Sequence, residues 1–242
     1  GRRGLWVIRR RVGPFERGAR QRLPGCGSAH RMMLEEPVRA PQYNLDGYVF
    51  NGELHVLGIV DAVMYPGTQA FMRFELTAQA SRLPAAVAER AAGVARKFLA
   101  AVGFTHGLFN MEFFHDPASD RLAVIEFNPR LASQFGDLYR RVHGVDAHAR
   151  ELALAMGQDP ATVPRVPATA GMAASFVYRA FDASEAPAMP GPWQRARLAR
   201  EFPDAMLFTF PKSGHSLARD FKWLGSHRYG ILHLGGRDAH DL

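Results

Sequence analysis

The chain has 242 residues of which 47% are hydrophobic, enough to bury a substantial core in one or two domains and too many for a chain disordered throughout. Its single cysteine, Cys26, excludes an intramolecular disulfide framework and a Cys-rich zinc motif, which fits a cytoplasmic protein, and no apolar stretch approaches the roughly 18 residues of a membrane span. The formal charge of +7 belongs to the first 22 residues, where eight arginines face only Glu16, so the remainder is near neutral and nucleic-acid binding is not the expectation.

Residues 1–31 hold the turn-prone pairs Gly13-Pro14 and Pro24-Gly25 around a short expected helix from Phe15 to Leu23. Strands from Tyr43 to Phe50 and from Glu53 to Val60 flank Asn51-Gly52, the pair best suited to a two-residue type I′ turn. Residues 61–75, with Tyr65-Pro66-Gly67-Thr68 at the tip, read as a substrate-facing loop. Asp61 and Arg73 are its charged candidates, since a guanidinium can grip a carboxylate with two bonds, although ordinary ion pairing explains either equally well. Helical spacing of Val87, Ala91, Val94, Ala95, Phe98 and Val102 predicts a core-packing helix from Pro84 to Val102, stopped at Gly103. Strands then run from Leu108 to His115 and from Leu122 to Asn128 around the turn-forming residues 116–120. Asp146 caps a second helix ending at Met156-Gly157, and Asp159-Pro160 opens a linker. Strands at 172–181, 205–210 and 229–234 complete a tail whose histidines, His215, His227, His233 and His240, lack zinc-ligand spacing.

The chemistry concentrates in Glu112 and, fourteen residues on, in Glu126-Phe127-Asn128-Pro129-Arg130. Carboxylates inside apolar strands must be paired, hydrogen-bonded or bound to a cation. Alternation along a strand places Glu126 and Asn128 on one face. If His115 faces Arg121, Glu112 lies opposite Val124, diagonal to Glu126 and on that same face. A two-residue slip sets it directly across, and a one-residue slip breaks the group. Three oxygen-bearing side chains suit magnesium, and Arg130 past the strand end adds a fixed charge for a phosphoryl group. The competing reading is a solvated hairpin face with Arg130 as a surface partner. Three ligand types on one face followed by a guanidinium favour the metal–phosphate site.

These residues resemble the C-terminal half of an ATP-grasp ligase, where a Glu on one strand and Glu-x-Asn on the next hold magnesium against ATP. The resemblance covers about Met33 to Gly157 and implies metal ligation by Glu112, Glu126 and Asn128, with Arg130 as the catalytic arginine of the Asn-x-Arg variant. Met33-Leu34-Glu35-Glu36-Pro37-Val38 is similar to the interdomain hinge of that family. By that likeness the main chain near Glu35, Glu36 and Val38 bonds adenine, Phe114 covers a ring face, and Gln42 replaces a ribose-binding Glu with another polar group. The implied fold is α+β, an ATP-grasp-like antiparallel sheet with packed helices plus a small C-terminal α+β lobe. The implied division is a basic segment at 1–32, a nucleotide- and metal-binding domain at 33–160 and the lobe at 161–242. The implied activity is ATP- and Mg2+-dependent joining of a small carboxylate substrate to an amine through an acyl phosphate. Members carry phosphate-binding lysines in an upstream subdomain, whereas the lysines here are Lys97, Lys212 and Lys222, so a fragment is expected. The alternative is a noncatalytic interaction domain on a degenerate ATP-grasp scaffold.

Overall fold

The computed structural model describes residues 37–78, 81–182 and 187–242, and the chain divides into two compact units, Gly1–Val38 and Arg39–Leu242. The expected helix at 15–23, the rest of the basic segment, Glu35 and Glu36 lie outside the described residues. Val38 belongs to the first unit.

In the second unit β1 (Gln42–Phe50) and β2 (Glu53–Met64) pair antiparallel around Asn51 and Gly52, whose φ values of 51° and 84° are those of the expected type I′ turn. The loop expected over 61–75 is mostly strand. β2 continues to Met64 and β3 (Phe71–Thr77) returns along it, leaving only residues 65–70 to turn, closed by Tyr65 N–H on Ala70 O at 2.8 Å. Alternation explains the extension: Val60, Phe74 and Leu76 are buried on one face, while Asp61 and Glu75 occupy the other.

Helix α1 (Ala85–Ala101) buries Val87, Ala91, Ala95 and Leu99 at four-residue spacing against Leu45, Phe109, Met111 and Phe113. Each large side chain buried there contributes about 1.5–3 kcal/mol. Of the expected stripe, Phe98 and Val102 stay largely exposed, and Phe98 instead stacks on Phe127 at 4.1 Å between ring centroids. β4 (Gly107–Asp116) pairs with both β1 and β5 (Arg121–Asn128).

The opposite face is covered by α2 (Gly136–His143) and α3 (Ala147–Ala155). Leu138, Tyr139 and Val142 of α2 pack on Val60, Phe74, Ala173 and Val177. Asp146 caps α3 as expected, its carboxylate accepting from Ala149 N–H at 2.9 Å. The C-terminal strands extend this same sheet. β6 (Met172–Ala180) pairs with β3, β8 (His227–Gly236) with β6, and β7 (Met206–Thr209) forms the outer edge. Among the described residues the result is one antiparallel sheet of eight strands in the order β5-β4-β1-β2-β3-β6-β8-β7, so residues 161–242 continue the architecture they were expected to flank as a lobe. Helices α4 (Pro192–Glu201) and α5 (Gly214–Leu224) accompany these strands. No helix among the described residues is long and apolar enough to cross a membrane.

Candidate active site

The face of the sheet that carries α2 also carries a polar row. Gln42, Asn44 and Asp46 alternate along β1, and β4 sets Phe114, Glu112 and Asn110 directly beside them. On the loop side of β5 the register is one residue from that expected, with His115 facing Leu122 and Phe113 facing Val124. A β-bulge at Ile125 then restores the phase, so that Glu112 faces Glu126 and Asn110 faces Asn128. The one-residue slip alone would have separated the carboxylates, and the bulge cancels it.

Glu112 is half-buried and its carboxyl is pushed up, first by burial and then by the charge and hydrogen bond of Glu126, which outweigh the opposing Arg130 charge and Gln42. Gln42 Nε2 donates to Glu112 Oε2 at 2.8 Å. Asn128 Nδ2 donates to Glu126 Oε1 at 2.9 Å and to Asn110 Oδ1 at 3.4 Å, while Arg130 donates to Asn128 Oδ1 at 3.4 Å. Beneath them Asp46 is fully buried, receiving Tyr139 Oη at 2.8 Å and Asn110 Nδ2 at 3.1 Å. Burial pushes Asp46 up to about 7, with the Tyr139 and Asn110 bonds opposing.

Of these groups Glu112, Asn110 and Arg130 line a cavity of about 400 Å3 whose far wall comes from β6 and β8. The cations lining it are arginines: Arg130, Arg179 and Arg228. Arg179 donates to Ser226 Oγ at 3.0 Å, its Nε is buried with no hydrogen-bond partner, and burial followed by the Arg228 charge lowers its pKa. Asn44 Nδ2, in the same lining, is likewise buried without a partner. Of the lysines with described side chains, Lys212 donates to Asp220 at 2.7 Å and Lys97 is exposed on α1, so neither reaches the cavity.

The structure therefore brings together Glu112, Glu126, Asn128, Arg130, Gln42 and Phe114. Asp61 and Arg73 are not with them. By alternation both lie on the α1 face, where Asp61 accepts from Ser81 Oγ at 2.7 Å and Arg82 N–H at 3.0 Å, and Arg73 donates to Glu75, which also receives Arg82 Nη2 at 2.8 Å. Arg179 and Arg228 line the cavity, whereas Asp61 and Arg73 do not. The polar alternation Gln42, Asn44, Asp46 in an otherwise apolar strand was a readable signal for Asn44 and Asp46, whereas nothing in the spacing marked Arg179 or Arg228.

Among the described residues no three His, Cys, Asp or Glu side chains gather into a metal cage. The pair of facing carboxylates nevertheless fits a divalent cation. Like charges at that separation repel unless a proton or a cation lies between them, and Asn128 offers a third oxygen once its amide is turned.

No protein-family model matches the chain. Among curated proteins it is 33% identical over 149 residues to carnosine synthase 1 of Gallus gallus, a stretch covering 60% of this chain and 15% of that protein. Its fold is similar to that of L-amino acid ligase from Bacillus licheniformis, with a TM-score of 0.60, 12% identity, and 83% of this chain and 50% of that one covered. It is also similar to N5-carboxyaminoimidazole ribonucleotide synthetase from Thermus thermophilus, with a TM-score of 0.59, 17% identity and coverage of 94% and 54%. Biotin carboxylase from Campylobacter jejuni gives 0.56, 17%, and 93% and 48%. The chain thus spans about half the length of these solved structures. It has the ATP-grasp fold, α+β with one antiparallel sheet and packed helices, and resembles the carboxylate–amine ligases built on that fold.

Proposed function

We propose that the chain supplies the metal- and phosphate-facing half of an ATP-dependent carboxylate–amine ligase. The observation that carries the reading is the direct opposition of Glu112 and Glu126, with Asn128 on the same face, across a cavity from Arg179 and Arg228. Glu112, Glu126 and Asn128 would hold Mg2+, whose charge would offset that of the triphosphate. Gln42 fixes Glu112 through its 2.8 Å bond, and Asn110 braces Asn128 against the Asp46–Tyr139 pair. The substrate carboxylate attacks the γ-phosphorus of ATP, the bond from that phosphorus to the β–γ bridging oxygen breaks, and ADP leaves with an acyl phosphate formed. Attack of an amine on the acyl carbon then releases phosphate and leaves an amide. Arg130, Arg179 and Arg228 supply the positive charge that positions and stabilises the transferring group, which is most of what phosphoryl transfer asks of a protein. Val38, with Glu35 and Glu36, is the proposed adenine hinge, and Phe114 the cover of a ring face. A fungal N5-carboxyaminoimidazole synthase of similar fold, with a TM-score of 0.50, was solved with ADP and an aminoimidazole ribonucleotide, which supports ATP as the nucleotide and a small molecule as its partner. The single cysteine is in keeping with a cytoplasmic setting.

The test is Glu126→Ala in the protein that contains this chain, which should abolish carboxylate-dependent ADP release. Undiminished release removes the proposed site. The second reading is a noncatalytic interaction domain on a degenerate ATP-grasp scaffold. Calorimetry separates the two, since magnesium-dependent heat on adding ADP supports the ligase and its absence from a folded sample supports the interaction domain.

A further inference from the structure

A second cavity, of about 580 Å3, opens at the other end of β1, between the β1–β2 hairpin and the segment that follows α3. Tyr48, His55, Arg150, Thr162 and Arg165 contribute to its lining. Tyr48 lies four residues along β1 from Asn44, the neighbour of Glu112, roughly 13 Å of extended chain, and the two cavities share no lining residue, so this cavity is separate from the cleft of Glu112.

Arg150 is the anomaly. It comes from α3, is only 7% exposed, and its Nε is buried with no hydrogen-bond partner. No carboxylate among the described residues is within ion-pair distance of it or of Arg165. Asp159 accepts from Ala161 N–H, and Glu53 lies 4.0 Å from His55 with an exposed side chain. Its visible compensation is Tyr48, whose hydroxyl accepts from the Arg150 side chain and whose ring centroid lies 5.9 Å from the guanidinium carbon. A neutral phenol and its ring offset only part of the cost of burying the charge, and neither supplies the negative charge that a buried guanidinium demands. A permanently charged group held buried without a counter-ion against a cavity is the electrostatic complement of an anion. Arg165, exposed on the opposite rim, adds a second guanidinium, and Tyr48 stacks on His55 at 4.7 Å to form an aromatic wall.

We propose that this cavity is an oxyanion-binding site distinct from the ligase cleft, taking a small organic phosphate or carboxylate between Arg150 and Arg165. The guanidinium fork matches either anion, and the volume is that of a small-molecule pocket rather than a single-ion site. Pyrophosphate and citrate are suitable probes, followed through the Arg150 Nε–Hε resonance in 1H–15N spectra of the 242-residue chain. A saturable shift with either probe is expected, and the probe that binds identifies the phosphoryl or the carboxylate source. Arg165→Gln, which alters only an exposed side chain, should weaken binding about tenfold or more through loss of one charge-assisted contact. Arg228→Gln, in the ligase cleft, should leave the shift intact. No movement of the Arg150 resonance with either probe overturns the assignment. So does binding that is unaffected by Arg165→Gln or abolished by Arg228→Gln.

Discussion

Asp46 shows how one residue ties the site to stability. Burial pushes its carboxyl up to about 7 in the fold, against the opposing Tyr139 and Asn110 bonds, from roughly 3.9 for an unfolded aspartate. A group whose folded value is raised stabilises fully below its unfolded value and loses that contribution as pH rises through the folded one. Asp46 therefore favours the fold at pH 5 and ceases to do so by pH 8. Urea midpoints measured at those two pH values should fall further for the native chain than for Asp46→Asn, which cannot ionise, and an equal fall in both would dismiss the buried neutral carboxyl. Glu112 shifts in the same direction, so the comparison with the variant, and not the raw slope, isolates Asp46. At this scale the carboxylates were readable because charged residues in apolar strands demand a partner. Arg179 and Arg228 were not, because a lone arginine in a strand looks like any solvated one until the fold shows what it faces.

Among elements, the β1–β2 hairpin and helices α1 and α3 follow from Asn51-Gly52, the four-residue apolar stripe and the Asp146 cap, all of them local signals. Helix α4 buries none of its residues and so has no apolar period to detect, and the eight-residue α2 is too short to establish one. The β4–β5 register could not be read because a bulge leaves no mark in composition. Helix α2 ends in a way that can be tested. Gly144 has φ 65°, its N–H donates to Arg140 O at 3.1 Å, and a Cβ there would lie 1.9 Å from Val166 O. The carbonyl of Gly144 also accepts from Val166 N–H at 2.9 Å, so neither strand of backbone can retreat without losing that bond. Gly144→Ala should destabilise by about 2–4 kcal/mol, combining left-handed strain with overpacking, as read from the shift in denaturant midpoint. A change below about 0.5 kcal/mol, the level of an ordinary surface substitution, would mean that the close approach is absent in solution.

Over the whole molecule the C-terminal third belongs to the sheet rather than to an appendage. β8 runs the length of β6 from Met172↔Gly236 to Ala180↔His227, and β6 in turn covers β3. Removing residues 205–242 should therefore do more than delete Arg228. It strips one edge of β6 and uncovers Ala173 and Val177, which lie in the core under α2. Light scattering after size exclusion should show the shortened chain self-associating, and a monomer with native near-ultraviolet dichroism would contradict the continuous sheet. Tertiary pairing of this range was beyond the reach of local pattern, since residues 172–180 carry no sign of whether they open a new lobe or join an old sheet.

The bulge at Ile125 has a bearing on how such a protein can change over time. Everything that β5 offers the cleft, Glu126 and Asn128 alike, is in step with Glu112 across one extra residue in the strand. Loss of that single codon would set Val124 and Glu126 next to each other in ordinary alternation, so Glu126 would still face Glu112 across an unbroken ladder. The length of the strand is thus free to vary at the bulge but not one step beyond it, since loss of Phe127 would make Glu126 and Asn128 adjacent and throw them to opposite faces.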